Sequence, residues 1–242
     1  MIYYKNVCII PAKLNSTRLR NKNILKLGKK SLLENTIKKA INTKLFDKII
    51  VNTESEKIIN KLKVNKKIET IKRPNYLSKD PHTISDVVLF SLEKLKKSGI
   101  NFESSSILLP TSPFFLTNDI LKAYRLFIKK KPNCLISISK NIFPPFNAYL
   151  LDNKMRLNFC FQSSKHKHKK STECPSTFKS NGGIMIINNR IFLKKKKIHL
   201  LKKIGHESKR WSFIDIDETK DYELSKMIFD KYYKKDNKNF YV

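Results

Sequence analysis

The chain has 242 residues, 40% of them hydrophobic, which is enough to bury a continuous core. Its 51 Lys and Arg against 20 Asp and Glu give a formal net charge of +31, so any partner is expected to be anionic. No apolar run approaches the roughly 18 residues needed to span a membrane. The stretch from Met1 to Pro11 enters a strand-like pattern without the parts of a signal peptide, so a soluble, cytoplasmic protein is expected.

Short apolar runs alternate with amphipathic helical patterns, the signature of a mostly parallel sheet covered by helices. Val7–Ile10 reads as the first strand, followed by a long polar loop from Pro11 to Leu27. Loops of that length in α/β folds tend to carry function. Ser31 and Glu34 have capping-box spacing ahead of a helix whose buried stripe is Leu33, Ile37, Ala40 and Ile41. Asp47–Asn52 is the second predicted strand, and Thr53 with Glu56 predicts a second capped helix through Ile58, Ile59 and Leu62. Ile68–Ile71 reads as a strand. Ile84, Val87, Val88, Leu92 and Leu95 form a helical stripe closed near Gly99. Ser106–Leu109 is a further strand, Thr117 opens a helix carrying Ile120, Leu121, Tyr124 and Phe127, and Cys134–Ser139 is the next strand. Periodicity then lapses from Asn141 to Ser180, which predicts an arm leaving the sheet rather than a separate domain. Gly183–Ile187 and Ser212–Ile216 read as returning strands, and Leu224, Met227, Ile228 and Tyr232 mark a terminal helix.

Four cysteines (Cys8, Cys134, Cys160 and Cys174) lie far apart without a Cys-x-x-Cys pair, so reduced thiols are expected rather than a zinc or disulfide framework. The lysines occur in nearly every segment, with local runs at 129–131, 165–170 and 194–197. A nucleic-acid binder concentrates its charge among aromatics. The scattered pattern here fits compositional drift combined with an anionic small substrate, and no dedicated nucleic-acid site is expected.

Four clusters fall where strands end or loops begin, the positions at which open α/β sheets build their sites. The loop from Pro11 to Asn23 holds Lys13, Ser16, Arg18, Arg20 and Lys22, cations and hydroxyls that suit a polyphosphate and equally suit a solvated basic surface. It has no Walker pattern. Leu108-Leu109-Pro110-Thr111-Ser112-Pro113 ends an apolar strand in hydroxyls, which by itself is also an ordinary turn. In Asn181-Gly182-Gly183 the glycines permit close backbone approach to a ligand, or a tight turn. In Ile214-Asp215-Ile216-Asp217 the carboxylates two apart would point to one side of a strand, where a cation such as Mg²⁺ would relieve their repulsion. An exposed strand end ahead of the last helix has the same pattern.

In order and spacing together, these clusters resemble the acylneuraminate cytidylyltransferases, the CMP-sialic acid synthetase family. The matching stretches are Ile10-Pro11-Ala12-Lys13 through Ser16, Arg18-Leu19 and Lys22-Asn23, then Phe46–Val51, then Lys72-Arg73-Pro74 followed by Asp80. Pro110–Pro113, Asn181–Gly183 and Ile214–Asp217 complete the set. The likeness is poorest between residues 141 and 180. It implies a single nucleotidyltransferase domain over residues 1–242, with a Rossmann-like, mostly parallel sheet flanked by helices and residues 141–180 as a small protruding dimerisation arm.

By that resemblance, Lys13, Ser16, Lys22 and Asn23 would hold the CTP phosphates and nucleotide, and Arg73 would help bind the cytidine end. Thr111, Ser112 and Asn181 would line the sugar side, and Asp215 and Asp217 would bind Mg²⁺ or Mn²⁺. The catalytic group would be Lys22, Asp215 and Asp217. The implied reaction joins CMP from CTP to the anomeric hydroxyl of a nonulosonic acid and releases pyrophosphate, in a homodimer. Lys13 stands where the family usually has arginine, and Leu109 where glutamine is common. Two alternatives are a cytidylyltransferase for 3-deoxy-manno-octulosonic acid and a non-catalytic, basic, nucleic-acid-binding protein on the same fold.

Overall fold

The computed structural model describes residues 2–62, 68–161, 163–166, 168–208, 211–234 and 240–241. In chain order the strands and helices are β1 (Ile2–Pro11), β2 (Lys26–Leu27), β3 (Lys30–Ser31), α1 (Leu32–Thr43), β4 (Lys48–Thr53), α2 (Glu56–Leu62), β5 (Ile68–Lys72), α3 (Ile84–Lys97) and β6 (Ile100–Leu108). They continue with α4 (Thr117–Lys130), β7 (Cys134–Lys140), β8 (Tyr149–Leu151), β9 (Leu157–Phe159), β10 (Phe178–Asn188), α5 (Asn189–Lys195), β11 (Lys203–Glu207) and α6 (Thr219–Tyr232).

Seven strands make one sheet in the order β11-β7-β10-β6-β1-β4-β5. All neighbours are parallel except β10, which runs antiparallel to both β6 and β7. Alternation along β1 sorts its side chains between two cores. Cys8 and Ile10 join α1, α2 and α4 on one face, while Val7 and Ile9 join α3 and α5 on the other. This two-sided burial is why β1 reads as a continuous apolar run. A third cluster packs α6 and Phe240 against Leu27, Phe114, Ile214 and Ile216.

The local signals act as their chemistry dictates, with three corrections. At α1 the Ser31 hydroxyl accepts from Glu34 N (3.2 Å) while the Glu34 carboxylate accepts from Ser31 N (2.7 Å), so the capping box is present. At α2 the cap is Ser55, whose hydroxyl accepts from Ile58 N at 3.4 Å. Thr53, the expected cap, lies inside β4 and accepts instead from Ser55 N. The sixth strand runs from Ile100, well before Ser106, because Ser104, Ser105 and Ser106 are buried polar residues with hydrogen-bond partners: Lys5 O, Asn189 and Asn6. Residues 212–216 are not a strand. Residues 212 and 213 belong to a turn, with Ile214 N donating to Trp211 O at 3.1 Å, and the extended segment after them is tied to the sheet's carboxyl edge by Ile216 N donating to Thr111 O at 2.8 Å.

The arm departs after Lys140 and returns at Phe178. Its base is closed by Asn141, which bonds Thr177 through backbone (2.9 Å) and side chain (3.0 Å). The β8–β9 hairpin lies within it. Among the described residues no helix is long and apolar enough to cross a membrane, and all four cysteines are free thiols.

Candidate active site

The carboxyl ends of β1, β5 and β6 open onto a cleft of about 320 Å³. Lys13, Ser16, Lys22, Asn23, Arg73 and Thr111 all line it, although they come from three separate stretches of sequence. The loop after β1 is braced from within, since the Asn23 amide donates to Lys13 O at 2.7 Å. Glu54 holds the same loop by accepting from Leu14 N at 2.7 Å. Two buried polar atoms on this wall, Ser16 Oγ and Asn23 Oδ1, have no hydrogen-bond partner. Buried polar groups are rarely left so, and a ligand donor or water in the cleft would satisfy them.

Arg73 is placed beneath the cleft rather than reaching across it. Its Nε donates to Ser78 Oγ (2.8 Å), its Nη1 to Asn52 O (3.2 Å) and Oδ1 (3.1 Å), and its Nη2 to Glu54 Oε2 (2.9 Å). Those bonds occupy four of the five guanidinium protons. Burial pulls the Arg73 pKa down, opposed by the Glu54 charge. Burial pushes Glu54 up, but the bonds from Leu14 and Ser78 and the Arg73 charge outweigh it and hold the carboxyl below its usual range. Arg73 therefore joins the ends of β4 and β5 to the phosphate-side loop. Glu54, Asn52 and Ser78 are partners that the sequence patterns did not single out.

The two carboxylates meet the cleft through different neighbours. Ile214 and Ile216 are buried under the third cluster, so Asp215 and Asp217 lie on the opposite side of the extended segment. Asp217 bonds Lys22 Nζ (2.8 Å) and Arg18 Nη2 (2.9 Å). Burial raises its pKa, but the bond and charge of Lys22 and the charge of Arg18 win and lower it overall. Burial raises the Asp215 carboxyl, aided by the Asp217 charge and opposed by a hydrogen bond from Thr111. Asp221 fixes the turn beyond, accepting from Asp217 N (3.0 Å) and Glu218 N (2.9 Å). Among the described residues no group of three or more His, Cys, Asp and Glu side chains could hold a metal. A pair of carboxylates under cationic attraction suits Mg²⁺, which keeps waters and substrate phosphates as its other ligands.

Ser112 and Asn181 lie behind the cleft wall, both buried. The Ser112 hydroxyl donates to Asn181 O at 2.8 Å. The Asn181 amide is engaged in the sheet: Nδ2 donates to Ser139 Oγ (3.0 Å), and Oδ1 accepts from Gly183 N (3.2 Å) and from Ser137 Oγ. These bonds hold a register shift in β10 between Ser180 and Met185. At Gly182, φ is +71°, and a Cβ there would stand 3.2 Å from Ser112 Oγ and 3.5 Å from Asp215 Oδ2. The glycine is therefore required by its backbone conformation, and Ser112 Oγ is the neighbour that a side chain there would crowd. Lys39, buried in α1, donates to Pro113 O at 2.5 Å and pins the far end of the Pro-Thr-Ser-Pro loop.

A cationic loop over the sheet's carboxyl edge, with a carboxylate pair beside it, offers charges that suit a polyphosphate and its counter-ion. A family model for cytidylyltransferases matches residues 7–133, just over half of the chain. The chain belongs to the cytidylyltransferase family. An N-acylneuraminate cytidylyltransferase of Escherichia coli is 30% identical over 91% of this chain, which spans about half of that relative's length (51%). A pseudaminic acid cytidylyltransferase of Campylobacter jejuni is 28% identical, with 93% of this chain and 96% of that one covered. A CMP-N,N'-diacetyllegionaminic acid synthase of Legionella pneumophila is 26% identical over 93% and 96% of the two chains. Among solved structures, a CMP:2-keto-3-deoxy-manno-octonic acid synthetase complexed with CTP superposes with a TM-score of 0.67 at 11% identity, covering 94% of this chain and 99% of that one. That likeness concerns the cytidylyltransferase fold. The family match ends at Asn133, so the carboxylate pair and the arm lie outside it.

Proposed function

We propose that the protein transfers CMP from CTP to the anomeric hydroxyl of a sialic-acid-like nonulosonic acid, with release of pyrophosphate. The observation that carries this reading is the cleft itself. Lys13, Lys22, Thr111 and the residues of the unpartnered Ser16 and Asn23 atoms line one space, and Asp215 and Asp217 stand beside it, bonded to Thr111 and Lys22 respectively. The names of the relatives supply the substrate class.

In the reaction the anomeric hydroxyl gives up its proton to solvent as its oxygen forms a bond to the α-phosphorus of CTP, the bond from that phosphorus to the bridging oxygen breaks, and pyrophosphate leaves with the electron pair of the broken bond. Lys13 and Lys22 hold the triphosphate and stabilise charge on the departing pyrophosphate. Lys13 does so as a point charge, without the bidentate fork an arginine would offer. Asp215 and Asp217 would hold Mg²⁺ or Mn²⁺, which supplies neutralisation of phosphate charge and a lowered pKa for the attacking hydroxyl. Lys22 is bonded to Asp217, so phosphate and carboxylate would share one cation, and CTP would draw the two walls of the cleft together.

We also assign the exposed apolar side chains of the arm, among them Phe143 (80% exposed), Leu150 (60%) and Leu157 (62%), to contact with a second copy of the chain. The protein is placed in the cytoplasm, where CTP is made available.

The test is pyrophosphate release from CTP and Mg²⁺ across a panel of sialic, legionaminic, pseudaminic and octulosonic acids. Turnover with a nonulosonic acid, absent without CTP, is expected, and Asp217→Ala should lower it by about 100-fold or more with circular dichroism unchanged. Folded protein that turns over none of the panel overturns the reading. Turnover with the octulosonic acid alone replaces the sugar and keeps the chemistry.

A further inference from the structure

The loop Pro110–Pro113 holds the segment that carries the two carboxylates. Thr111 O accepts from Ile216 N at 2.8 Å, and the Thr111 hydroxyl donates to Asp215. Ser112 donates to Asn181 O at 2.8 Å. The loop supplies little support of its own, because neither proline has an N–H to give. Its Ser112 N donates to Leu109 O over a long 3.3 Å. The far end, Pro113, is buried, and its carbonyl accepts from Lys39 Nζ, which reaches it from α1.

That donor is an unusual one. A buried carbonyl needs a hydrogen-bond partner, and a neutral amide or hydroxyl would serve. Lys39 instead brings an ammonium into the interior, where burying a charge is costly. Asp119, at the start of α4, is the opposite charge that acts on it, yet the Asp119 carboxylate is occupied by Leu116 N at 2.9 Å. The rings of Phe115 and Phe240 face the ammonium. Phe240 is fully buried, and its neighbour Tyr241 fastens the cover on both sides. Tyr241 O accepts from the Thr117 hydroxyl, and the Tyr241 hydroxyl donates to Asn35, one turn before Lys39 on α1, at 2.6 Å. Water is thus kept from the ammonium, which leaves Pro113 O as the acceptor it holds.

We propose that Lys39 is a positioning residue of the active site, fixing through Pro113 the place at which Thr111 meets Asp215. The inference rests on the proposed cytidylyl transfer and adds to it a residue that lies outside the cleft. Thr111 is two residues from the anchored carbonyl, about 7 Å of chain. The ring of Pro113 locks a dihedral between them, so a displacement at Pro113 is carried to Thr111 rather than absorbed. A misplacement of about 1 Å arising away from the reacting atoms can cost about 100-fold in rate. The bond of Lys39 goes to the acceptor-side loop, whereas Lys13, Lys22 and Arg73 are held by other partners. Its influence therefore falls on turnover and not on the binding of CTP.

Lys39→Met fills nearly the same space and removes the donor. In the full chain, assayed with the acid that is turned over, it should lower kcat by about tenfold or more and leave the KM for CTP unchanged. Its Tm should be unchanged or higher, because a buried charge has gone. Thr111→Val should lower kcat as well. The two substitutions together should cost little more than the larger one alone, since they interrupt a single route to Asp215. If Lys39→Met does not fold, Lys39→Gln is put through the same measurements. An unmoved kcat in the folded variant, or losses that multiply in the double variant, overturns the positioning role and leaves cytidylyl transfer standing. A kcat loss accompanied by a raised KM for CTP or a lowered Tm overturns it too, since the disturbance is then general. Absence of turnover by the unaltered protein with every acid of the panel overturns both.

Discussion

Lys39 is 1% exposed, its ammonium lies over the Phe240 ring (3.8 Å to the centroid) and near Phe115 (5.2 Å), and its hydrogen bond goes to Pro113 O. Burial lowers its pKa from 10.5 to about 7, against a smaller opposing effect from Asp119. In the unfolded chain the group regains its ordinary value, so between those two pH values the unfolded state binds more protons and stability rises with pH. Below about pH 7 both states are charged and the penalty is at its full size. Moving from about pH 7 to about pH 8.5 should therefore add about 1.5 kcal/mol in the native protein and none in Lys39→Met. Urea denaturation of the two proteins at both pH values checks this, and parallel shifts would refute the assignment. Glu54 presents the opposite case, a carboxylate whose value is in pairing with Arg73. Glu54→Gln preserves the shape but leaves the guanidinium buried without its counter-charge, and should cost about 3–5 kcal/mol in the same measurement. Neither prediction was available from the sequence. Lys39 is one of many lysines in the sequence, and Glu54 lies between Thr53 and Glu56, the pair expected to cap the second helix, without a signal of its own.

The elements were most legible where one physical demand acts alone. The strand β1 is buried on both faces and shows as an unbroken apolar run, and α1 announces itself by Ser31, Glu34 and the stripe of Leu33, Ile37 and Ala40. Legibility failed where polar residues are buried with their partners, as in the serines of β6. It failed again at β11, whose five residues at the sheet's edge are alternately exposed and half-buried and offer no apolar run. The segment carrying Asp215 and Asp217 alternates as a strand does. Its alternation comes from packing against Phe114 and α6, however, with one backbone bond to Thr111 in place of a ladder. Two site clusters were legible because they follow strand ends, the loop after β1 and Pro110–Pro113 after β6, whereas Asn181–Gly183 lies within β10 at its register shift and Asp215 and Asp217 lie outside any strand. What sequence spacing could not show is that Asn181 is spent on Ser137, Ser139 and Gly183, or that Arg73 is spent on Glu54 and Asn52. The displaced cap gives an element-scale test. Ser55→Ala should cost about 1 kcal/mol in thermal or urea unfolding through loss of the bond to Ile58 N. If Ser55→Ala is neutral, the hydroxyl of Ser55 does not cap α2.

For the whole molecule, the net charge of +31 and the apolar arm pull in opposite directions. Like charge spread over the surface opposes association, and it does so less as salt screens it. The arm presents Ile142, Phe143, Leu150, Leu151, Met155 and Leu157, each more than half exposed, on an excursion closed at its base by Asn141 and Thr177. A stable interface buries about 1,200–2,000 Å². If the arm completes a neighbour's cleft, association and catalysis must fall together, whereas an arm that serves only for contact would separate them. Light scattering at micromolar concentration and moderate salt should give twice the chain mass. Phe143→Glu combined with Leu150→Glu should return it to one chain, with circular dichroism unchanged because both side chains are already in water. Pyrophosphate release by that variant then discriminates between the two roles. A loss of about tenfold or more, concentrated in the KM for the sugar, is expected for an arm that closes over the acceptor side of its partner. Full activity in a monomeric variant would confine the arm to assembly, and a monomeric wild-type protein would remove the dimer from the account altogether.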